Sequence, residues 1–104
     1  LGARCRELSW RDREGKSLAG DFEAQVRASF ATIAETLAPA GGKLQDIVTM
    51  TVFILDGRHG DEFVELRKAY FPGAFPGSAL ITVAGFAKPD MMVEIQAIAV
   101  VEDK

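Results

Sequence analysis

The chain has 104 residues, 48% of them hydrophobic and 26% charged, with a formal net charge of −3. Length and composition are those of a single soluble globular domain spanning 1–104. The negative balance argues against a nucleic-acid backbone as partner, because that footprint needs a basic face and the Arg and Lys residues here are interleaved with Asp and Glu.

Residues 1–16 are polar and irregular, and the chain opens on Leu1 rather than Met. They read as an atypical or truncated start, with residues 3–9 as a weak edge strand and Gly15 in a turn. Asp21 is placed to cap a long helix. Phe22, Val26, Phe30, Ile33 and Leu37 follow at spacings of four and three, which puts them on one stripe. Pro39 and the Gly41–Gly42 pair stop that helix. Residues 46–55 read as a strand, residues 57–60 as a loop, and Asp61 as the cap of a second helix with Phe63, Leu66 and Tyr70 turned inward. Two turns follow, at Phe71-Pro72-Gly73 and Phe75-Pro76-Gly77. Residues 78–86 and 92–101 read as strands joined through Lys88-Pro89-Asp90, and their short connection predicts an antiparallel hairpin.

The last strand is the most informative. Val93, Ile95, Ala97 and Ala99 alternate with Met92, Glu94, Gln96, Ile98 and Val100, so both faces are largely apolar and one carboxylate stands among them. Two helices cover one face of a small mixed sheet, and nothing in the chain is left for the other. Exposing several Ile, Val, Leu and Phe side chains costs several kcal/mol at roughly 25 cal/mol per Å2. Self-association, sheet face against sheet face in a closed symmetric oligomer, is the expected remedy.

Glu94 is the first candidate for chemistry. A carboxylate held in an apolar interface is suited to general acid/base work; the competing reading is an ion pair with a cation of a neighbouring subunit. His59 is the sole histidine and lies in a loop, where a solvated surface position is the ordinary reading. One His and one Cys leave no metal-ligand set and no nucleophile–histidine pair. The single Cys5 cannot close an internal disulfide and fits a reducing, cytoplasmic compartment. Neither a membrane-length apolar run nor a signal segment is present in this sequence. The Gly41–Gly42 pair follows a helix rather than opening one, so it is not a phosphate loop.

The element order β-α-β-α-β-β, the Asp-Ile-Val-Thr-Met-Thr-Val-Phe-Ile segment (46–54), the Phe-Pro turn (75–76) and the Val-Glu-Ile-Gln-Ala-Ile-Ala-Val ending (93–100) resemble the RidA/YjgF family, whose members are also called reactive-intermediate deaminases, translation-initiation inhibitors or L-PSP endoribonucleases. The resemblance implies an α+β, chorismate-mutase-like fold of the bacterial trimeric type, with two helices on one face of a mixed sheet and three pockets at the subunit interfaces. It implies hydrolysis of enamines and imines to a 2-oxo acid and ammonia, with Glu94 in the place of the acid that positions the hydrolytic water. The family's carboxylate-gripping arginine falls on Ser78, its cysteine on Leu80, and the second acid of the closing motif on Gln96. Ser9 matches a family serine, Trp10 stands where glycine is usual, and the upstream tyrosine segment is absent. The chain thus resembles an arginine-lacking subgroup.

A hydroxyl cannot replace a guanidinium fork, so any ligand is expected to be less anionic, or to be held by Ser78 and the backbone N–H groups near Gly77 and Ala79. In a hairpin register Phe86 lies near the strand end opposite Glu94, as a pocket wall or as a plain core residue. The expected function is an imine or enamine deaminase working without cofactor or metal at the interfaces of a cytoplasmic homotrimer. The alternative is a non-catalytic small-molecule-binding trimer, and an endoribonuclease or translation inhibitor ranks behind both; neither membrane nor nucleic acid is expected as a partner.

Overall fold

The structure is a computed structural model, and it describes residues 2–5, 18–73 and 76–101, with residues 2–5 described by strand position alone. Six principal elements follow in order: β1 (Gly2–Cys5), α1 (Phe22–Leu37), β2 (Ile47–Ile54), α2 (Gly60–Arg67), β3 (Gly77–Thr82) and β4 (Val93–Ala99). The α+β class and the β-α-β-α-β-β order are those expected.

Helix α1 begins where its cap requires. The Asp21 carboxylate accepts the Ala24 N–H at 3.0 Å, satisfying one of the orphan donors of the first turn. All five residues of the apolar stripe are buried. The helix tightens into a 3-10 turn over Ala38–Ala40 and stops at Gly41, whose φ of 78° is a left-handed conformation open to glycine at little cost. Helix α2 opens at Gly60, two residues earlier than a cap at Asp61 implies. Asp61 lies in its first turn rather than at its cap, and the capping carboxylate of this stretch is Asp56, which holds the 3-10 turn Gly57–His59. Phe63 is buried, and Leu66 and Tyr70 pack against the core. Phe30 lies at the centre of an aromatic group, with ring centroids 4.4 Å from Tyr70, 5.8 Å from Phe71 and 6.2 Å from Phe63.

The sheet has the order β1-β4-β2-β3. Strands β2 and β3 are parallel, joined by the crossover through α2, while β4 is antiparallel to both β1 and β2. The expected hairpin between the last two strands is therefore wrong. Strand β3 ends at Thr82, and residues 83–92 are irregular, a connection of ten residues where a tight hairpin uses two to five. That length carries the chain past β2, so β4 enters between β1 and β2. The central place suits β4, whose Val93, Ile95, Ala97 and Ala99 are all buried, whereas every residue of β3 is exposed at the sheet's edge. Edge strand β1 is described over Gly2–Cys5, and the remainder of the expected strand, with the turn at Gly15, lies outside the described residues.

The core fills the space between α1, α2 and one face of the sheet: Ile47, Met50, Val52 and Ile54 of β2 join the inward residues of β4. The other face has no layer on it among the described residues. Ile98 is 53% exposed and Ile81 44%, and Val48, Val100 and Leu55 are exposed as well. Among the described residues no helix is long and apolar enough to cross a membrane.

Candidate functional site

Strand alternation and register decide which residues share the open face. Across β2 and β4, Phe53 stands opposite Glu94, Thr51 opposite Gln96 and Thr49 opposite Ile98. Across β2 and β3, Phe53 stands beside Ile81, Thr51 beside Ala79 and Thr49 beside Gly77. Residues paired in register point to the same side of a sheet. The open face therefore carries three rows: Ile81–Phe53–Glu94, Ala79–Thr51–Gln96–Arg4 and Gly77–Thr49–Ile98–Gly2. A bulge between Ile47 and Thr49 sets the phase of β2 and leaves Val48 exposed.

Glu94 is half-buried, and among the described residues no hydrogen bond or ion pair reaches its carboxylate. It is the sole ionisable side chain in β2, β3 and β4 together. Phe53, its cross-strand neighbour, is also half-buried, and directly opposed residues have Cβ atoms roughly 5 Å apart. The neighbour of Glu94 across β2 is therefore an aromatic residue rather than a cation.

The other sequence candidates do not all converge on it. Ser78 is level with Met50, a core residue, so it faces the helix side, opposite to Glu94. Leu80 follows the same side and approaches Gly60 of α2, where an added Cβ would stand 3.3 Å from its Cδ2. Ala79 and Gly77 do lie on the open face, one and two rows from Glu94. Phe86 is displaced: it sits half-buried in the irregular stretch after β3, and Phe53 holds the place opposite Glu94 that the hairpin register gave it. Ser9 and Trp10 lie outside the described residues.

His59 is less exposed than a solvated loop residue. Its ring stacks on Phe22 with centroids 4.3 Å apart and planes 7° from parallel, and Nδ1 lies 3.2 Å from Glu62 Oε1. It packs α2 onto α1, away from the Glu94 row. Among the described residues no three His, Cys, Asp or Glu side chains are grouped to hold a metal ion.

One residue that sequence reasoning passed over is Gln25. Its side chain is 0% exposed, in the middle of the apolar stripe of α1. The amide nitrogen donates to the Leu18 carbonyl at 3.1 Å and the Asp90 carbonyl at 2.8 Å, and the amide oxygen accepts the Met92 N–H at 2.8 Å. Gln25 thus ties α1 to the residues that open β4, two positions before Glu94. A buried amide satisfied this way fixes the start of the strand. The signal was present, since position 25 falls one turn after Phe22 and one turn before Ser29 on the inward side; Ser29 is itself buried, its hydroxyl donating to the Gln25 carbonyl at 2.8 Å.

A mixed sheet with helices on one face and the other left open is the chorismate-mutase-like α+β class. The chain belongs to the endoribonuclease L-PSP family, the YjgF/RidA family, whose model matches residues 7–101. It is similar to a YjgF/YER057c/UK114-family structure from Mycobacterium tuberculosis, with 30% identity and a TM-score of 0.74 over 78% of this chain and 69% of that one. A Rid-family protein of unknown function from Yersinia pestis aligns at 28% identity and a TM-score of 0.82, covering 90% and 75%. A Vibrio vulnificus protein aligns at 27% and 0.82, covering 96% and 81%.

Proposed function

We propose that the chain is a hydrolase of small-molecule imines or enamines, acting at the interfaces of a cytoplasmic homotrimer with Glu94 as its proton-handling group. The observation that carries this reading is the half-buried Glu94 carboxylate, without a hydrogen bond or ion pair among the described residues, on an apolar face that needs a cover. In the reaction, water adds to the carbon of the protonated C=N as Glu94 takes one of its protons, leaving a neutral carbinolamine. Glu94 returns that proton to nitrogen, ammonia leaves as the C–N bond breaks, and Glu94 takes the hydroxyl proton as the C=O bond forms. Closing the open face with sister copies removes bulk water from around Glu94 and Phe53, which strengthens the carboxylate's interaction with the reacting nitrogen. The N–H groups near Gly77 and Ala79, in the rows beside Glu94, belong to the same proposal as ligand contacts, whereas the Ser78 hydroxyl is turned to the helix side.

The test uses imines made in situ by a flavin amino-acid oxidase or a flavin amine oxidase, with semicarbazide trapping to follow their lifetime. The expected result is faster disappearance with the protein, and a rate lowered about 100-fold in Glu94→Gln with the oligomer unchanged. Rates equal to the uncatalysed reaction for both imines would leave the second reading, a non-catalytic small-molecule-binding trimer. One observation favours that alternative: Ser78, in the arginine's place, faces the side of the sheet opposite Glu94. Ribonuclease action, which the family's description names, has less physical support, because the net charge is −3 and one histidine is present.

A further inference from the structure

The charge on the open face sets what can bind there. Strands β2, β3 and β4 contribute a single ionisable group, Glu94, and its direct neighbour in the row is the Phe53 ring, followed by Ile81. The described cations whose partners are known are engaged elsewhere: Arg27 with Glu23 on α1, Arg58 with Asp56, and Lys68 with Glu65 on α2. A carboxylate paired across the sheet with an aromatic residue is chemistry that recognises an organic cation, through a charge-assisted hydrogen bond and the quadrupole of the ring. The carboxylate itself repels an anion, more strongly once the face is shielded from water, and the register places one cation, Arg4 of β1, in the next row.

We infer that the Ile81–Phe53–Glu94 row takes a small organic cation, an ammonium or iminium group on a molecule without a carboxylate. The inference deepens the reading of Glu94 given above and rests on it for the location of the site. It sets the substrate class apart from 2-imino acids. Their carboxylate would lie against Glu94 with no cation from β2, β3 or β4 to receive it. The register places Arg4 of β1 opposite Gln96, one row from Glu94, so an arginine drawing an anion to this face is the competing arrangement.

The experiment is a titration of the intact protein with benzylammonium, benzyl alcohol and benzoate, three probes of one shape and different charge, followed by backbone amide resonances. Benzylammonium is expected to shift Glu94, Phe53 and Ile81 and to bind roughly tenfold or more tightly than the alcohol. In Glu94→Gln the two should bind alike, and Phe53→Leu should weaken the ammonium about threefold. The folded amide pattern of each variant is checked first, and Phe53→Leu serves if Glu94→Gln does not fold. Benzoate binding to the row as tightly as the ammonium, with loss in Arg4→Ala, overturns the inference in favour of the arginine. Failure of benzylammonium to shift the row overturns it outright. The two readings fail separately. Benzylammonium bound to the row without turnover of any imine supports the cation site and removes the hydrolase, whereas a 2-imino acid turned over tenfold faster than a carboxylate-free imine supports the hydrolase and removes the cation preference.

Discussion

Asp56 shows how a local sequence pattern becomes a measurable charge state. Its carboxylate accepts the Arg58 N–H at 2.9 Å and is gripped by the guanidinium, Nη2 to Oδ2 at 2.7 Å and Nε to both oxygens at 3.1 Å. The side-chain hydrogen bonds from Arg58, and then the backbone one, lower its pKa to about 2. A lowered carboxylate pKa means stability that is fully present above the unfolded value of roughly 3.9 and is lost as pH falls through about 2. A carboxyl carbon titration by NMR should therefore place the Asp56 midpoint near 2, and Arg58→Ala should move it back toward the ordinary range. The pair is solvent-exposed, so the effect belongs to the loop and leaves global stability nearly untouched. Gln25 is the opposite case, a buried residue with long reach. Replacing it with Leu removes the hydrogen bonds to the Met92 N–H and the Asp90 carbonyl, and should cost about 2–4 kcal/mol by urea denaturation. Amide exchange should speed up first at Met92 and Val93, because the start of β4 loses its anchor.

At the scale of elements, α1 is the organising piece. Its buried stripe meets both the sheet and α2, and Phe30 touches the rings of Phe63, Tyr70 and Phe71. Phe30→Ala should therefore cost about 3–5 kcal/mol in thermal or chemical unfolding, more than truncation of any single neighbour in α2. The short α2 depends on contacts rather than on its own propensity, since eight residues are too few for a stable isolated helix. The Phe22–His59 stack and the burial of Phe63 supply those contacts. Gly41→Ala tests the stop of α1: at φ 78° an alanine is strained by roughly 1 kcal/mol, although nothing lies within 4 Å of the added Cβ.

For the whole molecule, the open sheet face is the dominant fact. Ile98, Ile81, Val48, Val100 and Leu55 are exposed in a single subunit, and at roughly 25 cal/mol per Å2 covering such a set is worth several kcal/mol per copy. Sedimentation equilibrium at micromolar concentration is expected to give a trimer, and Ile98→Lys to shift the distribution to smaller species by placing a charge on the covered face. A monodisperse, well-folded monomer of the unaltered chain would remove both the oligomer and the interfacial site. Because Glu94 shares the face with Ile98, dissociation should abolish imine hydrolysis even though Glu94 itself is intact.

Periodicity determined much of this protein from the sequence. The spacing Phe22, Val26, Phe30, Ile33, Leu37 defines a helix face without any knowledge of its partner, and the alternation of Val93 to Ala99 divides β4 into a core side and a side holding Glu94. Those are local properties, set by 3.6 and 2 residues per repeat. Strand order is not local. Whether β4 pairs with β3 or slips between β1 and β2 depends on how ten irregular residues travel and on which strand is apolar enough to occupy the centre, so the hairpin expectation failed and Phe53 replaced Phe86 beside Glu94. Register decided the rest: a shift of one residue turns a side chain to the opposite face, and that parity separated Ser78 from Glu94. Gln25 needed the tertiary structure for the same reason, because its partners lie 65 and 67 residues away along the chain and meet it only once the sheet has closed over α1.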